Sequence, residues 1–326
     1  MNVLPLLHCL ADGEYHSGQD IGRELGVSRA AIWKQMQVIK DLGVGIEAVT
    51  GRGYCIPGGL DLLNKERIIS AFSELARPLS AHLEVKFSTG STNTDALACA
   101  EAGLSQCLII AEHQQAGRGR RGREWVSPFG HNVYMSLLWT FQSGIAALEG
   151  LSLVCAIAVR RTLQNQGVEG VRLKWPNDVY LDSRKAAGIL LEVRGDISGP
   201  CQLVIGLGVN TWLPPEVAGR IEQPYSDLRS AGLAIVSRND LAAALVNELV
   251  SALVCFEAQG FEPFREEWMG ADLYVGNKVE IHAGSQVKVG DHAGVDLSGR
   301  LLLDTELGRV LVAGGEMMPG LRPASV

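Results

Sequence analysis

The segment Gly117-Arg118-Gly119-Arg120-Arg121-Gly122-Arg123 limits what this chain can fold into more than any other stretch. Four guanidinium groups on three glycines make a dense, flexible, permanently cationic loop. The same letters satisfy G-x-G-x-x-G, the dinucleotide fingerprint, which would impose a parallel α/β fold. That fingerprint needs a helix directly after its glycines, to hold a pyrophosphate, and an acid about 20 residues further on. The chain instead continues Glu124-Trp125-Val126-Ser127-Pro128-Phe129-Gly130, with proline and glycine where the helix should begin. Asn132-Val133-Tyr134-Met135-Ser136-Leu137-Leu138-Trp139 follows; it is β-branched and aromatic and reads as a strand. Four arginines would also crowd a turn built for small side chains. A Rossmann site is set aside on these grounds. A solvated basic loop without a ligand remains the plain alternative. Against it, Cys107-Leu108-Ile109-Ile110-Ala111 reads as a buried strand, so the loop leaves a sheet beside a pocket.

The rest of the chain allows a soluble enzyme of more than one domain. Its 326 residues are 47% hydrophobic and 20% charged, with room for two or three domains. A net charge of −7 argues against coating of bulk nucleic acid but permits a local basic patch. The seven cysteines show no C-x-x-C and no metal-ligand spacing, so they read as reduced cytosolic thiols and not as a zinc site. No basic region precedes the short apolar N-terminal stretch, and no run approaches about 18 uninterrupted apolar residues. A cytoplasmic protein with no membrane partner is expected.

Three segments differ in pattern. Residues 1–59 read as a winged helix-turn-helix. A first apolar helix covers 3–11, Ser17 caps a second that stops at Gly26, and Ser28 caps a third over 29–42. Ile32, Met36 and Ile39 form the core stripe of that third helix, while Arg29, Lys34, Gln37 and Lys40 project elsewhere. A hairpin follows with Gly51-Arg52-Gly53 at its tip, the wing, and Arg52 is placed to touch phosphate or a minor groove. A small structural helical domain is the competing reading. Pro57-Gly58-Gly59 forms a linker to an α+β segment over 60–270, with a long helix over 145–167 and another over 239–258 capped by Asn239. From 271 to 326 the pattern becomes period-two, with short strands between glycine-rich turns, as in a small β-barrel.

The central segment carries three further polar motifs: Ser91-Thr92-Asn93, Lys174-Trp175-Pro176-Asn177-Asp178, and Arg184-Lys185 ahead of Ala187-Gly188-Ile189-Leu190. Taken singly they read as a helix cap, a turn and a solvated charge. Together with the arginine loop and Gly206-Leu207-Gly208-Val209-Asn210, in this order behind a winged helix, they closely resemble the biotin protein ligases. The match is to the bifunctional class that also represses the biotin operon, and it spans essentially the whole chain.

That resemblance implies a central domain related to class II aminoacyl-tRNA synthetases and a C-terminal SH3-like barrel. It implies synthesis of biotinyl-5′-AMP from biotin and MgATP, then transfer of biotin to one lysine of the biotin carboxyl carrier protein of acetyl-CoA carboxylase. Carried over by residue, Ser91, Thr92, Asn93 and Gln114 hold the biotin ureido head, and Arg118, Gly119 and Arg120 close over the carboxylate and phosphates. Lys185 bridges carboxylate and α-phosphate. Arg121, Trp125, Lys174, Asn177 and Asn210 join Arg118, Arg120 and Lys185 at the adenylate, and Asp178 orients the acceptor lysine. Ser28, Arg29, Ala30, Trp33, Lys34, Gln37 and Arg52 form the implied DNA face of a ligand-bound homodimer on a palindromic operator. No metal ligands are implied beyond Mg²⁺ carried by ATP.

The chemistry accords with these residue types. Two anions must meet at the α-phosphorus while charge builds on pyrophosphate, so cationic donors and Mg²⁺ are needed and a side-chain nucleophile is not. A lipoate ligase or octanoyltransferase is the rival enzyme, although the chain has no Arg-Arg-x-x-Gly-Gly-Gly run. A non-catalytic biotin-sensing repressor is the rival of another class. Trp33 departs from the polar residue expected on a DNA-reading face; it either meets thymine methyls or sugars or packs on the central domain. The segment 211–228 is individual in sequence, and the operator sequence stays open.

Overall fold

The computed structural model describes residues 2–195, 199–233 and 237–319. Three helices, α1 (Leu4–Leu10), α2 (Gly18–Leu25) and α3 (Arg29–Asp41), precede a hairpin of β1 (Glu47–Val49) and β2 (Gly53–Cys55). The Ser17 hydroxyl accepts from the Asp20 N–H and that of Ser28 from the Ala31 N–H, as the capping pattern predicts. Leu6, Leu7 and Leu10 pack with Ile21, Ile32, Met36 and Ile39 into one small core. Phe129 and Leu62, from outside the first 59 residues, complete that core, so the unit is seated on the rest of the molecule.

The central segment runs α4 (Lys65–Ser70), β3 (Leu83–Lys86), α5 (Thr92–Glu101), β4 (Cys107–Ala111), β5 (Val133–Phe141), α6 (Leu151–Asn165), β6 (Arg172–Lys174), β7 (Asp178–Leu181), β8 (Arg184–Gly195), β9 (Cys201–Val209), α7 (Pro215–Ala218), α8 (Arg238–Gln259) and α9 (Arg265–Ala271). Its seven strands form one mixed sheet in the order β3-β4-β5-β9-β8-β7-β6, with β3 and β4 parallel and the other neighbours antiparallel. Strand alternation divides the apolar residues between two faces. Leu108, Ile110, Leu137, Leu203 and Ile205 join the main core with α6 and α8, whereas Cys107, Ile109, Leu138 and Val204 pack with Ala96 of α5. On the α5 side, small residues take the alternate positions further along: Ser136 faces Gly206, and Gly208 faces Gly188 across the strands. That leaves a hollow on one face of an otherwise filled sheet.

Two expectations need correction. The helix foreseen over 145–167 begins at Leu151, after a 3₁₀ turn over Ile145–Leu148. Gly150 breaks it at φ +81°, and a Cβ there would lie 2.8 Å from Phe261 Cβ. Helix α8 is capped by Ser237, whose hydroxyl accepts from the Asp240 N–H, and not by Asn239. Asn239 is buried, and its amide binds Asp61, the Leu62 carbonyl and the Asn64 N–H. Among the described residues, α8 has the length and hydropathy of a membrane-crossing helix, but over half of it is buried in the core.

The C-terminal strands β10 (Lys278–Ala283), β11 (Gln286–Val295), β12 (Leu301–Thr305), β13 (Gly308–Val312) and β14 (Glu316–Pro319) form an antiparallel sheet in the order β13-β12-β11-β10-β14. The first four match the period-two runs. β14, short and methionine-rich, gave too little alternation to be read as a strand. Residues 320–326, within the span assigned to this segment, lie outside the described residues. A fully buried pair, His292 Nε2 to Asp272 Oδ2 at 2.7 Å, fastens the sheet to the end of α9.

Candidate functional site

The hollow on the α5 face is lined by many polar and charged side chains. Ser91 is the N-cap residue of α5 but makes no capping bond, so its hydroxyl is not committed to the backbone. Thr92 and Asn93 occupy the first turn and are buried. Gln114 Oε1 accepts from the Thr92 N–H (2.9 Å) and hydroxyl (3.1 Å), and its amide donates to Ser127 Oγ. Asn93 Oδ1 lies 2.6 Å from Ser136 Oγ, and Asn93 Nδ2 donates to Glu192 Oε2 at 2.7 Å. These head-group candidates are held rigidly at the floor of the cavity.

Glycines provide the shelf on which this arrangement rests. A Cβ on Gly206 would come within 2.1 Å of Asn93 Oδ1, and one on Gly208 within 2.4 Å of the Trp125 ring. The Gly-x-Gly spacing of β9 thus leaves room for two side chains that line the cavity. Trp125 lies 5.5 Å from Lys185 Nζ, and its indole N–H is buried without a partner.

Beside Trp125, Lys185 Nζ meets Asp178 Oδ1 at 2.8 Å, with both side chains largely buried. The contact is an ion pair without good hydrogen-bond alignment, which leaves that carboxylate oxygen able to take a better donor. Lys174 lies against Tyr180, and burial lowers its pKa despite the attraction of Asp178. The Trp175–Pro176 peptide between these elements is cis.

The arginine loop reaches over this cavity. Arg118 donates to Thr94 Oγ1 (3.2 Å) and Glu192 Oε2 (3.3 Å). Arg120 donates to Asn177 Oδ1 (3.0 Å) and the Gly315 carbonyl (2.9 Å), and burial lowers its pKa. Arg121, at φ +56°, donates to the His282 carbonyl, and Arg121 and Arg123 both hold the Glu316 carboxylate. Burial would raise the Glu316 pKa, but these guanidinium groups keep it below the ordinary glutamate value. The loop is therefore fastened to β14, at the far end of the chain.

Ser91, Thr92, Asn93, Gln114, Arg118, Gly119, Arg120, Arg121, Trp125, Lys174, Asn177, Asp178 and Lys185 all line one cavity. Asn210 does not. It is buried behind the wall, where its amide donates to the Ser226 carbonyl and its own carbonyl accepts from the Leu228 N–H, so it ties both ends of 211–228. Sequence reasoning missed Ser136, Glu192, Ser127 and Glu316. The signal for the first two was a polar residue set between apolar neighbours, Ser136 between Met135 and Leu137 and Glu192 between Leu191 and Val193. Glu316 had no signal, because its partners lie almost 200 positions away in the chain.

In the N-terminal unit, Ser28 is spent on its cap, Arg29, Ala30 and Lys34 are exposed, and Gln37 is half-buried. Trp33 is 59% exposed. Arg52 lies 4.0 Å over the Tyr15 ring, and the Tyr15 hydroxyl donates to Glu47.

Residues 89–210 match the biotin/lipoate A/B protein ligase family, and residues 3–55 match a helix-turn-helix domain. The chain is 41% identical to the bifunctional ligase/repressor BirA of Escherichia coli, over 93% of this chain and 92% of that one. It is 36% identical to the biotin–[acetyl-CoA-carboxylase] ligase of Paracoccus denitrificans, over 71% of this chain and 98% of the relative. A biotin protein ligase from Aquifex aeolicus in complex with biotin and ATP superposes with a TM-score of 0.61 at 26% identity, covering 73% of this chain and 97% of that one.

Proposed function

This chain belongs to the biotin protein ligase family, in its bifunctional ligase/repressor branch, and on that premise we propose that it joins biotin to the biotin carboxyl carrier protein of acetyl-CoA carboxylase. A biotin carboxylate oxygen attacks the α-phosphorus of MgATP and expels pyrophosphate. The acceptor lysine amine then attacks the acyl carbonyl of biotinyl-5′-AMP and expels AMP. Ser91, Thr92, Asn93 and Gln114 take the ureido head, Arg118, Gly119 and Arg120 the carboxylate, and Lys185 the point where carboxylate and α-phosphate meet. Arg121, Trp125, Lys174 and Asn177 serve the nucleotide, and Asn210 serves it indirectly by ordering 211–228. Preorganised cations at the meeting point each contribute about 3 kcal/mol to such a transition state.

The observation that carries this reading is the Lys185–Asp178 pair at 2.8 Å, with Arg120 and Lys174 on the same cavity. When substrate anions engage Lys185, Asp178 is released to hold the incoming neutral amine. The arginine loop acts as a lid that keeps water from the mixed anhydride.

Residues 1–59, 60–270 and 271–326 are read as the DNA-binding, ligase and SH3-like domains. The bulge between His292 and Val295, a device that curls sheets, supports the last of these. A homodimer carrying biotinyl-AMP presents two copies of α3, through Ser28, Arg29, Ala30, Trp33, Lys34 and Gln37, with Arg52 at each wing, to a palindromic operator. The free thiols suit a cytoplasmic setting.

One assay tests the reading: the chain, biotin, MgATP and apo carrier protein. Mass-shifted carrier with AMP and pyrophosphate release is expected. Tight biotin binding without product would make the protein a sensor only, and acyl transfer in a parallel reaction with lipoate or an octanoyl donor in place of biotin would assign the rival enzyme.

A further inference from the structure

Helix α3 carries one large side chain that the rest of the fold leaves uncovered. Trp33 is 59% exposed, although the stripe one residue away, Ile32, Met36 and Ile39, is buried. Among the described residues its ring enters none of the aromatic or cation–π pairs. Helical spacing gathers Arg29, Ala30, Trp33, Lys34 and Gln37 on one face, with Trp33 at its centre. Ala30, small and exposed, leaves open space beside the indole.

The surrounding charges identify what covers it. The first turn of α3 has no acidic residue and begins with Arg29, so a cation stands at the positive end of the helix. A phosphate there satisfies both the guanidinium and the helix end. Lys34 adds a second cation on the same face, and the segment matches a helix-turn-helix domain. A polyanion with an apolar feature at its centre meets all of these features, and duplex DNA has one: in the major groove only thymine displays a methyl group.

We propose that Trp33 packs its indole on the C5-methyl of one thymine in each half-site and thereby sets the base preference there. Indole offers one donor N–H and no acceptor, so it cannot read a base by a paired hydrogen-bond pattern. Its discrimination comes from apolar contact, while Arg29 and Lys34 position the helix on phosphates. The inference rests on the reading that the N-terminal unit binds operator DNA.

The test uses the full chain with biotin and MgATP to enrich duplexes from a randomised library. Each thymine of the enriched duplex is then replaced in turn by deoxyuridine, which removes only the methyl. One position per half-site should weaken binding by about fourfold, the worth of one buried methyl group. That sensitivity should vanish in Trp33→Ala and return in part in Trp33→Phe, with the salt dependence of binding unchanged because no phosphate contact is lost. Deoxyuridine neutral at every position would overturn the thymine contact alone, as would equal sensitivity in Trp33→Ala; the indole would then lie on sugar or cover a protein surface. If no duplex is enriched, the DNA-binding reading fails, and this inference with it.

Discussion

Arg120 and Lys185 show how differently two cations of one cavity are held. Lys185 is anchored in a strand and paired with Asp178, whereas Arg120 sits on a glycine-flanked loop and is held by Asn177 and the Gly315 carbonyl. Removing Arg120 should therefore spare adenylate chemistry more than adenylate retention. Arg120→Gly is expected to release biotinyl-AMP and to label lysines on bystander proteins, read by mass spectrometry of a mixed protein pool. Biotinylation confined to the carrier lysine would show that the lid does not guard the intermediate. At this scale the sequence was legible for which side chains share the cavity, Arg118, Arg120 and Lys185 among them, and for a lysine beside a carboxylate. It was not legible for Asn210, whose backbone and amide are spent on tying a loop.

Strand β9 and helix α5 make the site work as a pair. Asn93 is pinned from three sides, by Ser136, Glu192 and the bare backbone of Gly206. Gly206→Ala puts a methyl 2.1 Å from Asn93 Oδ1, too close to stay, and drives the amide out of place. A misplacement on the order of 1 Å costs up to about a hundredfold in a positioned site. The loss should appear as a raised KM for biotin, with that for ATP little changed. Equal losses for both substrates would mean that the strand itself has been disrupted. Helix and strand periodicity revealed most elements here, but Gly150, which delays α6, and Ser237, which replaces Asn239 as cap, depended on Phe261 and Asp61 from distant parts of the chain.

At the scale of the whole molecule, a buried polar junction ties Asp61 and Glu112 to the start of α8 and to the 211–228 segment. Arg238 pairs with Glu112 and donates to the Asn132 carbonyl, while Asn132 Oδ1 accepts from the Thr211 and Trp212 N–H groups at the start of the 211–228 segment. His131, edge-on to Trp212, sits in the same junction, and burial with the nearby Arg238 and Arg229 brings its pKa down to about 4. The folded state thus prefers neutral His131, whereas the unfolded chain takes up a proton near pH 6.5. Stability should fall as pH drops from about 6.5 to about 4, with a full cost on the order of 3 kcal/mol. Urea midpoints across this range should fall less steeply for His131→Gln, and identical slopes would exclude the histidine as their source. By itself the sequence determined the loop, the capped helices, the strand alternation and the family of chemistry, because each rests on local spacing or on residue type. Tertiary structure alone decided that Phe129 completes the N-terminal core, that Glu316 clasps the arginine loop, and that Gly206 and Gly208 give space to Asn93 and Trp125. Those outcomes depend on contacts between segments far apart in the chain, and such distances leave no periodicity to read.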